Sequence, residues 1–92
     1  MLRVTTTDEA QTITLKLEGK LVGPWVREVR HVWARTATDS ERRYVVDLSS
    51  VTFIDNPGRV LLAAMCKRGA RFIATDCLTR TIVDEIQREG SA

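Results

Sequence analysis

Four consecutive residues, Asp55-Asn56-Pro57-Gly58, join a carboxylate to a signal for the start of a helix. Asn56 is a good N-cap, and Pro57 suits the first helical position, where a missing N–H is no loss. Asp55 has two readings in such a place. It is a functional carboxylate at the exposed end of a strand, or an acid that satisfies the free N–H groups of the first helical turn. The frequency of such caps favours the second. The amides of the same turn could hold an anion, although Pro57 removes one donor. Outside this corner, reactive residues are sparse. His31 stands among Arg27, Glu28, Arg30 and Arg35. No Ser, Cys or Asp lies at a spacing that would make it a base, so it reads as a solvated side chain. Glu28 interrupts the arginines and no aromatic residues interleave them, which argues against nucleic acid as a partner. Cys66 and Cys77 are too few for a disulfide framework and have no metal-ligand spacing. They read as reduced thiols in the core of a cytoplasmic protein. Asp47 lies inside an apolar run and is either at an exposed pleat or tied to a neighbour. Paired Cys and His motifs and Gly-rich phosphate loops are lacking, so the expectation is a non-catalytic protein with no metal and no cofactor.

The corner needs a strand before it and a helix after it. From Tyr44 to Ile54 the chain is a near-continuous β-branched and aromatic run, broken at Asp47 and at Ser49-Ser50. Such a run suits a strand of a parallel sheet covered on both faces. After the corner, Val60 to Cys66 continue a short apolar helix, which Lys67-Arg68-Gly69 stops with basic last-turn residues and a glycine cap.

The flanking segments follow the same logic. Leu2 to Thr7 and Thr12 to Glu18 alternate apolar and polar residues around a polar turn and predict a hairpin, closed by Gly19-Lys20. Pro24 opens a helix of about 13–15 residues, on which Val22, Val26, Val29, Val32 and Trp33 recur at helical spacing. Trp33 belongs to the core, and Trp25 is a candidate exposed anchor for a partner. Residues 36–43 read as a loop. Ala70 to Thr75 is a short strand, and a last helix starts at Thr79, with Leu78 and Val83 as its hydrophobic staple, and ends near Gly90. The expected fold class is α/β, in the order β-β-α-β-α-β-α. Right-handed crossovers then require a mixed four-stranded sheet flanked by helices, with one face expected to be only partly covered and so open to partners.

Composition sets the outer limits. The 92 residues suit one domain, 1–92, with 43% hydrophobic and 28% charged residues and a net charge of +2. These values are those of an ordinary globular domain, neither disordered nor strongly basic. No apolar run nears the roughly 20 residues that span a bilayer, and Met1-Leu2-Arg3 leads into no signal-peptide core.

Leu17-Glu18-Gly19-Lys20-Leu21, Val46-Asp47-Leu48-Ser49, Val51, Phe53-Ile54-Asp55, Gly58 and Gly69-Ala70 come in an order and spacing that resembles the STAS domain, the fold of the bacterial anti-sigma-factor antagonists. In that family the residue before the corner glycine is a Ser or Thr. A partner kinase, itself the anti-sigma factor, phosphorylates it and is released. Here Pro57 holds that position and Asn56 precedes it, and neither accepts a phosphoryl group. Arg59 stands where the family carries an apolar residue. The resemblance implies a transcription regulator that binds a protein partner through Asp55, Asn56, Pro57, Gly58, Arg59 and Leu62 without a phospho-switch. The alternative it implies is an accessory subunit docked on the ATPase of an ABC lipid-transport complex.

Overall fold

A computed structural model of the chain describes residues 2–36, 42–75 and 77–91, excepting the side chains of 77, 78 and 89–91. Its elements run β1 (Leu2–Asp8), β2 (Thr12–Leu21), α1 (Pro24–Thr36), β3 (Arg43–Ile54), α2 (Asn56–Lys67), β4 (Arg71–Ile73) and α3 (Cys77–Ser91). The four strands form one mixed sheet in the order β1-β2-β3-β4. β1 pairs antiparallel with β2, as the alternating pattern predicts, and β2–β3 and β3–β4 are parallel. The chain steps across the sheet in one direction, so right-handed crossovers put α1 and α2 on the same face. α3 packs on α2 and β3. The predicted class and element order therefore hold.

The buried face of the sheet carries Ile13, Leu15, Leu17 and Leu21 from β2 and Tyr44, Val46, Leu48, Val51 and Ile54 from β3. It meets Val26, Val29 and Trp33 of α1, Leu61, Leu62 and Met65 of α2, and Ile82, Val83 and Ile86 of α3 in one cluster. Trp33 stands edge-on to Tyr44, with ring centroids 5.4 Å apart and planes at 73°. That T-shaped arrangement sets the edge of one ring against the face of the other. Trp25 is half-buried and packs against the core, so it is a wall of α1 rather than the free anchor expected.

β3 departs from expectation in two ways. It is buried on one face only, with Val45, Asp47 and Ser49 half-buried on the other. It is also longer than its neighbour needs. β2 runs from Thr12 to Leu21 while β3 runs from Arg43 to Ile54, and the register slips between Lys16 and Glu18 and again between Gly19 and Lys20. Each slip gives β3 one extra residue. Its inward positions are therefore 44, 46, 48, 51 and 54, so the polar pause at Ser49-Ser50 is a bulge within one strand. For the same reason Gly19-Lys20 does not close β2, which continues through a bulge to Leu21.

On the open face, Lys16 lies opposite Asp47. Asp47 resolves to the tied reading, since its Oδ1 accepts the Ser49 amide at 2.9 Å. Burial pushes its carboxyl up, but hydrogen bonds from the Ser49 side chain and backbone, with the charge of Lys16, outweigh it and hold the pKa below the ordinary 3.8. A carboxyl depressed by folding stabilises the native state above its unfolded pKa and loses that contribution as the pH falls through the folded value. Urea midpoints measured through and below pH 3.8 should therefore fall less steeply for Asp47→Asn than for the wild type. Parallel curves would mean that Asp47 is as free in the folded chain as in the unfolded one.

Two helix ends also differ from expectation or refine it. α3 begins at Cys77, and Thr79 lies inside it at 1% exposure rather than capping it. α2 ends as predicted on Gly69, with φ +92°. The Gly69 amide donates to Cys66 O at 2.9 Å and the Ala70 amide to Met65 O at 3.1 Å, with Ala70 buried. This paired arrangement satisfies two carbonyls that the helix leaves without partners.

Candidate functional site

The corner after β3 is built around Asp55. The helix is capped by Asp55, not by Asn56, which takes the first helical position and moves Pro57 to the second. Both residues are good caps. The decision comes from the rest of the fold. Asp55 Oδ1 accepts the Gly58 amide at 2.8 Å, while Oδ2 accepts the Gly23 amide at 2.9 Å, just before α1. The Asp55 amide donates to Leu21 O at 3.1 Å. One carboxylate thus fixes the chain where it leaves β2 and where it leaves β3, so both of its oxygens serve structure. It also takes the Gly58 amide that an external anion at this helix N-terminus would need.

Gly58 is buried, and a Cβ there would stand 2.9 Å from Leu21 O, 3.0 Å from Ile54 Cγ2 and 3.1 Å from Asp55 Oδ1. The absence of a side chain lets the first turn of α2 lie directly on the ends of β2 and β3. The corner is therefore close-packed inside and presents Asn56 and Pro57 outside, both exposed.

The remaining residues of the expected interface divide. Arg59 is half-exposed, and its guanidinium meets the Glu85 carboxylate of α3, so it ties two helices instead of pointing freely outward. Leu62 is 0% exposed and faces the core, since it lies four residues beyond buried Gly58 on the inward side of α2. It corrects the expected set: it supports the corner but adds no surface to it.

The outward side of α2 carries what the sequence reading passed over. Val60 is 65% exposed. From Asn56 a groove of about 500 Å³ runs past Val60, Ala63 and Ala64 to Lys67, with Ile86 of α3 on its other side. A large apolar residue three places after a helix-start proline was the available signal. Its use depends on which side of α2 faces the sheet, and the burial of Gly58, Leu61, Leu62 and Met65 decides that. Elsewhere, His31 is exposed on α1, and Cys66 is a free, half-buried thiol. The Cys77 side chain lies outside the described residues. None of the described helices is long and apolar enough to cross a membrane.

No protein-family model matches the chain, and no curated protein matches it significantly. Solved structures do. An anti-sigma factor antagonist from Mycobacterium paratuberculosis superposes with a TM-score of 0.84, covering 99% of this chain and 82% of that one at 19% identity. The fold is that of a STAS domain. The anti-sigma factor antagonist SpoIIAA in its unphosphorylated form aligns with a TM-score of 0.62 over 95% of this chain and 98% of its own, at 12% identity. An antisigma-factor antagonist STAS domain from Rhodobacter sphaeroides aligns with a TM-score of 0.53 over 80% and 85%, at 22% identity. In this STAS fold the Asp55 corner lies at the C-terminal end of a central parallel strand, where open α/β sheets present their binding sites.

Proposed function

We propose that this STAS-fold chain is a non-catalytic, cytoplasmic interaction module of the anti-sigma-factor-antagonist kind. It docks a regulatory protein through Asn56 and Pro57 and the groove beside them, and is not switched by phosphorylation at the corner. The observation that carries this reading is Val60, an exposed apolar side chain on a groove that starts at the corner and ends at Lys67. An amphipathic helix laid into such a groove would bury Val60, Ala63 and Ala64, and acidic residues at its margin would complement Lys67. Asp55, Gly58 and Leu62 hold the surface in shape, while Arg59, already engaged by Glu85, borders it.

The constitutive character rests on chemistry. A kinase of the serine/threonine type needs a hydroxyl oxygen placed in line with the γ-phosphorus. Asn56 offers an amide and Pro57 a ring. Phosphate would otherwise bring about −1.5 to −2 charges to the interface. Control then falls to the amount of protein or the state of the partner. A corner without a hydroxyl suits equally the second reading, an accessory subunit on the ATPase of an ABC lipid-transport complex.

The test is a pull-down from native lysate with the wild type and Val60→Asp, with ATP present and the bait's intact mass measured afterwards. The wild type should retain one protein of the anti-sigma, kinase-like kind. Val60→Asp should lose it with its circular dichroism unchanged, and the bait should gain no phosphate. An ABC ATPase lost in the same way would establish the second reading. Equal retention by both baits would place docking elsewhere, and one phosphate between Ser49 and Gly58 would refute the constitutive reading. Arg59→Glu is a poorer probe, because it sets a second carboxylate against Glu85 and perturbs α2–α3 packing.

A further inference from the structure

At the end of the sheet opposite the Asp55 corner, three chain segments bring arginines to one cleft. Arg42 and Arg43 precede and begin β3, Arg68 ends α2 and Arg71 begins β4. The parallel pairing of Val45 with Arg71 brings the two regions together across 26 residues of sequence. With Tyr44 and Gly69 these arginines line a cleft of about 390 Å³. Arg42 is committed elsewhere, to the Asp8 carboxylate and the Glu9 carbonyl. Arg43, Arg68 and Arg71 are exposed and pair with no described carboxylate. Among the described residues that line the cleft, none is an acid.

We propose that this cleft binds a phosphate-bearing anion. Exposed charges within a Debye length, about 8–10 Å at ordinary salt, are only partly screened. Guanidinium groups gathered round one cavity therefore repel one another until an anion enters. Each presents a planar fork of donors matched to two oxygens of a phosphate, which a lysine ammonium does not. A volume within the range of about 300–1,000 Å³ typical of small-molecule sites leaves room for more than one phosphoryl group. The corner cannot play this part, since the Gly58 amide is held by Asp55. The phosphate could be free or carried on a lipid headgroup, and the geometry of the three guanidinium groups serves either.

The experiment uses the whole chain. Tripolyphosphate is titrated calorimetrically into the wild type, into Arg43→Ala/Arg71→Ala, and into Arg27→Ala/Arg30→Ala, which removes the same charge from the exposed face of α1. In parallel, phosphatidylcholine vesicles with and without phosphatidic acid are tested by co-sedimentation. One saturable site is expected. Its Kd should rise about tenfold or more in the cleft variant, since hydrogen bonds to charged groups are the strong ones. It should be little changed in the α1 variant. Binding of acidic vesicles without tripolyphosphate binding, lost in the cleft variant alone, would place the phosphate on a headgroup. Equal losses in the two variants would reduce the effect to diffuse charge and overturn the proposal. So would the absence of both saturable tripolyphosphate binding and selective vesicle binding. Both pairs are exposed, so thermal melts of all three proteins should coincide.

Discussion

Truncating Ile54 to alanine should lower the unfolding free energy by about 2–5 kcal/mol, the usual range for an isoleucine removed from a packed core. Ile54 is 6% exposed at the last inward position of β3, and its Cγ2 lies against the first turn of α2 at Gly58. The truncation therefore opens a cavity at the junction that carries the proposed docking surface. Small domains are stable by only about 5–15 kcal/mol, so the loss is a large fraction of the total. Urea unfolding should show it as a lower midpoint at unchanged slope. A shift equivalent to less than about 1 kcal/mol would mean that the corner closes over the missing atoms, contrary to the low compressibility of protein interiors.

The second large effect comes from adding atoms at the same junction. Gly58→Ala should destabilise the protein although alanine is the better helix residue. Helix propensity favours alanine by up to about 1 kcal/mol. Against this, the new methyl would stand 2.9 Å from Leu21 O, a backbone atom already held by the Asp55 amide at 3.1 Å. Overpacking of this kind costs about 1–3 kcal/mol, which outweighs the gain. For a domain of this size each net kilocalorie should lower Tm by roughly 4–8 °C. A raised Tm would show slack between β2 and α2. In an Ile54→Ala background Cγ2 is gone and only Leu21 O and Asp55 Oδ1 oppose the methyl, so the second substitution should cost less than it does alone.

Much of this architecture is legible in the residues. The hairpin follows from alternation, α1 from helical spacing after Pro24, and the α2 stop from Lys67-Arg68-Gly69, because these signals are local. Misreadings occur where a distant partner decides. Asp55 and Asn56 are equivalent caps by local chemistry, and the Gly23 amide, 32 residues away, selects Asp55. Leu62 enters the expected interface through the resemblance alone, and only the packing of Gly58, Leu61, Leu62 and Met65 against the sheet shows that it faces inward and Val60 outward. Gly19-Lys20 and Ser49-Ser50 look like strand ends because a bulge is visible only in the pairing of two strands. The arginine cleft escapes for the same reason, since nothing local says that Arg43 and Arg71 are neighbours.

The shortness of β4 has a consequence for how the molecule behaves among its own copies. β4 pairs with β3 only from Val45 to Asp47, so among the described residues the second half of β3 has no strand beside it on that side. Phe53 is 50% exposed on β3 and Ile73 44% exposed on β4. A long flat edge with such residues would template addition of a strand from another molecule. Here the Asp47 carboxylate occupies the Ser49 amide, and the two irregularities break the even repeat of donors and acceptors that a foreign strand would have to match. The extra residues that bring β3 to its corner thus also guard the chain against aggregation.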